Sequence, residues 1–204
     1  MADCSNAARR RRESLRRRFR PAPLRVLFVG ESPPASGRFF YRGDSGLYRA
    51  MRDAFRTIDP SIEDANFLSV FRACGCYLID LCPEPVDRLD PRSRRAACRA
   101  GEVSLSRSIA RLRPPVIATV LRSIECNVTR AASRADWQGP LIHLPYPGRW
   151  SRYREEFVRT LAPTISALLP QCRLVPQGRP STGALRSPIM CRPSVSASYV
   201  PRRG

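Results

Sequence analysis

The chain has no lysine: all 36 of its basic residues are arginine. Such exclusive use of one cation points to a compositional bias of the source genome. Part of the formal charge of +19 then carries no function. No apolar run is long enough to cross a bilayer, which excludes a helical membrane span. The Arg-rich start has no apolar h-region, so no secretory leader is expected. A cytoplasmic protein is expected on these grounds. Its eight cysteines are then expected as thiols or metal ligands rather than disulfides. There is also no internal repeat.

What is present suits one domain of ordinary size, since 204 residues can bury a core that needs no staples. The charge is unevenly placed. Residues 1–20 hold eight arginines against Asp3 and Glu13, and residues 171–204 hold six arginines and no acid. Residues 21–170 hold 22 arginines against 15 acids. The reading is a basic disordered arm over 1–22, a folded domain over 23–170 and a disordered basic tail over 171–204. The tail, dotted with Pro, Ser and Arg, has neither a helical nor a strand period. Such ends either add salt-sensitive phosphate contacts or are merely solvated.

Between the ends, short apolar runs alternate with helical periods. "LRVLFVG", "CYLIDL", "PVIATVL" and "PLIHLPYP" read as strands. "DSGLYRAMRDAFR" spaces Leu47, Ala50, Met51, Ala54 and Phe55 for a helix that Asp44 or Ser45 can cap. Pro91 can start a second helix, "SIECNVTRAASR" reads as a third, and "SRYREEFVRTL" as a last. The alternation predicts an α/β fold: a three-layer α/β/α sandwich around a mainly parallel four-stranded sheet. Ligands of such sheets bind beyond the carboxyl ends of the strands. Here those ends carry "GESPP", "DLCPEP" and "LPYPGRW".

Taken singly, these residues are ambiguous. Gly30 and Pro33 suit a plain strand end and a stiff loop, and Phe39, Phe40 and Tyr41 suit core packing. Asp80 inside an apolar strand is different, because a buried carboxylate is costly unless paired. It lies at the water's edge of the sheet or it has a function.

Together the segments resemble a known family. "VLFVGESPPASGRFFYRGDSGLY" is similar to the first motif of the uracil-DNA glycosylase superfamily, nearest its iron-sulfur bacterial and archaeal branch. "CYLIDLCPEPVDRLDPRSRRAAC", "ARLRPPVIATVLRSIECNVTRAA" and "LPYPGRWSRYREEF" resemble its later motifs in the same order. The resemblance spans about residues 24–168 and implies a uracil-DNA glycosylase-like fold. It implies hydrolysis of the N-glycosidic bond of an altered or deaminated base in DNA, in base-excision repair. A non-catalytic member that binds nucleic acid or a nucleotide through the same pocket is the alternative. Such an enzyme swings the nucleotide out of the stack into a pocket. Glu31 or Ser32 is then expected to hold water near C1′. Gly30, Pro33, Phe40 and Asp80 are expected to form the base pocket, with Asp80 as edge reader. Tyr146, Pro147, Arg149, Trp150, Arg152 and Arg154 are expected to clamp the DNA. The partner is DNA, with no membrane, and a monomer is expected.

The sequence departs from the family pattern at three places. Asp80 stands where the branch holds Asn; an ionised Asp only accepts hydrogen bonds, so a base presenting an N–H is favoured over uracil O4. Leu144-Pro145-Tyr146-Pro147 replaces the His-Pro-Ser-Pro motif, and the only histidine, His143, lies one residue early, on the opposite strand face. Cys82 and Cys98 match two cluster ligands, but the N-terminal Cys-x-x-Cys pair is missing. No metal, cluster or other cofactor is therefore expected, and Cys82 and Cys98 are expected as packed thiols.

Overall fold

A computed structural model of the protein describes residues 2–148 and 150–173. It is an α/β/α fold around four strands: β1 (Val26–Gly30), β2 (Cys76–Asp80), β3 (Val116–Thr119) and β4 (Leu141–His143). The strands are all parallel, in the order β2-β1-β3-β4. β1 is buried along its whole length and β2 nearly so, which is why both read as unbroken apolar runs. The helices are α1 (Ala2–Arg18), α2 (Gly46–Arg56), α3 (Phe67–Ala73), α4 (Pro91–Leu112), α5 (Glu125–Arg134) and α6 (Ser151–Arg173).

The layers follow from handedness. β1 to β2 steps one way along the sheet, and β2 to β3 and β3 to β4 step the other way. Right-handed crossovers then put the connecting helices on opposite faces. Accordingly α2 packs on α6, and α4 packs on α5. The sheet's direction reverses between β1 and β3, where the loops diverge and leave a crevice beyond the strand ends.

Local chemistry sets the helix starts. Ser45 caps α2 by accepting from the Tyr48 N–H at 3.1 Å, so the cap is Ser45 rather than Asp44. Asp90 caps α4 by accepting from the Arg92 and Ser93 N–H groups, with Pro91 at the first helical position. Gly101, inside α4, is set by packing: a Cβ there would stand 2.4 Å from the Leu81 carbonyl oxygen. α4 therefore lies directly on the loop that leaves β2.

Four points of the sequence reading need correcting. Residues 2–18 are helical, and α1 belongs to the folded body rather than to a disordered arm. Phe19 stacks on Tyr41, with ring centroids 5.6 Å apart, and Leu15 packs against the core. α3 was not expected; its Phe67 and Phe71 are fully buried in an aromatic cluster with Phe28, Phe40 and Phe55. α6 continues to Arg173, past the expected start of the tail, and buries Phe157, Leu161, Ile165 and Leu168. Residues 174–204, and with them most of the expected tail, lie outside the described residues. Among the described residues no helix is long and apolar enough to cross a membrane. Cys74 is disulfide-bonded, unlike the thiols expected from the sequence.

Candidate functional site

A cavity of about 570 Å³ opens beyond the carboxyl ends of the strands. β1 contributes Gly30 and the loop Glu31–Pro34, β2 contributes Asp80, and the turn after β3 contributes Val120 and Leu121. Tyr146 and Pro147 close it from the β4 side. All the strand ends singled out in the sequence therefore meet at one place.

Gly30 and Asp80 stand side by side in the β1–β2 register. A Cβ on Gly30 would meet Asp80 Oδ1 at 3.0 Å, so the glycine gives the carboxylate its room. Asp80 is not a free acceptor. Arg16 of α1 reaches it through Nη2 to Oδ2, and both side chains are about nine-tenths buried, at 9% and 10% exposure. The same guanidinium pairs with Glu13 and lies 5.5 Å from the centre of the Phe39 ring. Burial pushes the Asp80 carboxyl up, Arg16 pulls it back, and the balance stays above the usual aspartate range.

Glu31 is held on both oxygens by Arg94 of α4. Nε donates to Oε1 at 2.7 Å, and Nη2 donates to Oε2. This is a fork-on-carboxylate pair, the strong form of the arginine contact. Cys98 Sγ lies 3.8 Å from Glu31 Oε1 and 3.8 Å from Cys82 Sγ. Burial raises both thiols, Cys82 to about 12 with help from its neighbour Cys98. Among the described residues no group of three or more His, Cys, Asp or Glu side chains is placed to hold a metal.

Ser32 lines the cavity, and its Oγ accepts from the Val86 N–H at 3.2 Å. Pro33 is buried in the wall. Phe40 touches the cavity but is 4% exposed, and its ring packs edge-on against Tyr41, Tyr48 and Phe67. The chemistry at its wall is therefore a ring edge fixed in the core. Trp150 is 64% exposed and Arg152 lies over the Tyr153 ring; neither is in the cavity wall. Arg149 lies outside the described residues. His143 is also out of the wall, with Nδ1 3.3 Å from Thr119 Oγ1 and 3.7 Å from Glu125 Oε1.

Of the exposed cations of this cavity, sequence reasoning singled out only Arg154, in the expected clamp. Arg38, Arg49 and Arg154 reach its rim from the first loop, from α2 and from α6, and all three are exposed. Arg16 and Arg94, which neutralise its carboxylates, were missed too. Among 36 arginines no local signal marks Arg16, Arg38, Arg49 or Arg94. Asp87 stands on the same wall, its carboxylate accepting the Ala35 N–H at 3.0 Å.

The arrangement is polar in a definite sense. The most buried acceptors, Asp80 and Glu31, lie at the strand ends, and the exposed cations stand around the mouth. No family model matches the chain, and no curated protein matches it either.

Proposed function

We propose that this cavity takes a nucleobase extruded from a nucleic-acid strand, and that the protein hydrolyses its N-glycosidic bond. The observation that carries the reading is the direction of polarity just described. A nucleotide is neutral and rich in hydrogen-bonding edges at its base, and anionic at its phosphate. The cavity offers acceptors inside and guanidiniums at the rim. Its volume of about 570 Å³ lies in the range of small-molecule sites and holds a base with its sugar. Asp80 Oδ2 is taken by Arg16, while Oδ1 stands at the Gly30 side. Oδ1 accepts from a base N–H, which favours bases with a donor on that edge over uracil O4. Glu31 keeps lone pairs beyond those used by Arg94, and with Ser32 it can hold a water against C1′.

A second reading, binding without hydrolysis, is favoured by one feature. Arg94 ties both Glu31 oxygens, and the only histidine is outside the cavity wall. A carboxylate so held has fewer lone pairs left to orient a water.

The test uses single- and double-stranded oligonucleotides carrying uracil, hypoxanthine, xanthine or mismatched cytosine. Binding and release of free base are followed for the parent and for Asp80→Asn. The parent should excise poorly at uracil and better at a base that presents an N–H where uracil has O4, as cytosine does with its amino group. Asp80→Asn should raise uracil binding or excision relative to the parent. Robust uracil excision by the parent that Asp80→Asn abolishes would refute Asp80 as the edge reader. Tight binding with no base released from any substrate selects the second reading.

A further inference from the structure

A second cleft, of about 410 Å³, lies beside the edge strand β2, between α1 and α4. On one side stand Arg9 and Arg17 of α1, with Arg20 just after it. On the other stand Ser104, Ser108 and Arg111, which share one face of α4. Arg9, Arg17, Arg20 and Arg111 are exposed, and among the described residues none of them is ion-paired. The two acids on the wall, Glu13 and Asp80, are already taken by Arg16. Four guanidiniums thus surround a concave site with no acid left to balance them. A charged cleft in a low-dielectric wall focuses its field and concentrates counter-ions.

We propose that this cleft binds the phosphates of a nucleic-acid strand. The proposal rests on the base-cavity reading through one residue. Asp80 lines both cavities, so the two adjoin at its side chain. A strand with a base in the first cavity runs its neighbouring phosphates toward the second. Length favours a strand over a single anion. Arg9 and Arg17 are eight residues apart, about 12 Å along a helix, or roughly three phosphates at about 3.4 Å of rise each. The helical fold of α1 is what turns an arginine-rich segment into one wall of a site.

The experiment measures binding of a fluorescent single-stranded oligonucleotide to the full chain as salt is raised. The parent is compared with Arg17→Ala/Arg20→Ala/Arg111→Ala. A control, Arg56→Ala/Arg72→Ala/Arg159→Ala, removes equal charge from exposed positions outside both cavities. Each lost phosphate contact flattens the salt slope by about 0.7 for a single strand, so the cleft variant should lose about two units of slope. The control should lose less than half of that. An unchanged slope, or an equal loss in the control, overturns the proposal. Thermal shift with inorganic tripolyphosphate separates the sources. If tripolyphosphate protection needs the three arginines while oligonucleotide affinity does not, the cleft takes a free polyphosphate and the proposal fails. Failure here is distinct from failure of the base-cavity reading. That reading is tested by base release and by Asp80→Asn, neither of which depends on the salt slope.

Discussion

Replacing Arg16 with Met should expose how the buried Asp80 carboxylate is kept in the fold. Arg16 and Asp80 are 9% and 10% exposed, so the substitution leaves a buried carboxylate facing an apolar chain. Breaking a buried pair from one side costs about 3–5 kcal/mol. For a fold of this size that lowers the melting temperature by on the order of 10 °C. The pH dependence has a definite sign. The folded pKa of Asp80 lies above its unfolded value, so folding disfavours the ionised form. Stability therefore falls as pH rises from the ordinary aspartate range, about 4, through the folded value, and it is unaffected below that range. Without Arg16 the folded value rises further, because desolvation then acts without its main opponent. Around the carboxylate, Arg12 of α1 also lowers it and Glu13 raises it. The loss in Arg16→Met should thus be largest at neutral pH and should shrink toward about pH 4. Adding Asp80→Asn should restore much of the stability, since an amide carries no charge to strand. Urea melts of the parent, the single and the double variant at both ends of that range give the answer. An equal loss at both pH values, with no recovery in the double variant, would show that packing of the α1 helix, and not the ion pair, is what Arg16 supplies.

Two further outcomes follow from packing and burial. Gly101→Ala puts a Cβ 2.4 Å from the Leu81 carbonyl oxygen and should cost about 1–3 kcal/mol in urea melts, as overpacking does; a neutral result would mean that α4 slides freely on the β2 loop. Among Cys76, Cys82, Cys98 and Cys126, only Cys126 is exposed, and burial raises the other three thiols. Mildly alkaline iodoacetamide should label Cys126 first in the native protein, with peptide mapping by mass spectrometry as readout; equal rates at Cys82 and Cys126 would contradict the packing around Cys82.

The strands were legible because a parallel sheet covered on both faces demands unbroken apolar runs, and "VLFVG" and "CYLID" are such runs. The α2 and α4 starts were legible because Ser45, Asp90 and Pro91 act on their own backbone neighbours. α1 was not legible. Seven arginines in its segment dominate any periodicity, and what anchors it is remote in sequence: Arg12 to the Pro83 carbonyl and Glu84, and Arg16 to Asp80. α3 is seven residues long, too short for a period to stand out beyond Phe67 and Phe71. The site divided in the same way. Glu31, Ser32 and Asp80 lie at strand ends and were found from the strands. Arg94 and Arg16 stand 63 and 64 residues from their partners and could only be found in three dimensions.

Every carboxylate on the cavity wall has a partner: Glu31 with Arg94, Asp80 with Arg16, and Asp87 with the Ala35 N–H. This pairing does not make them inert as acceptors. An ionised carboxylate has about four lone-pair sites, and even a forked arginine fills two. What the pairing removes is freedom and, for Glu31 and Asp80, net charge. The acceptors stay in place without drawing counter-cations, and the loop after β1 and the end of β2 are each tied to a helix, α4 and α1. A ligand that enters then meets fixed acceptors that need no reorganisation, which is where hydrogen bonds discriminate best. On the proposed reading the exposed Arg38 and Arg49 at the rim, which have no acid partner among the described residues, serve the ligand's anionic part, whereas Arg154 also faces Asp53 at 3.7 Å. Selectivity of the cavity should therefore come from the buried pairs, and salt-sensitive affinity from the rim and the α1–α4 cleft. The two are separable because different arginines serve them.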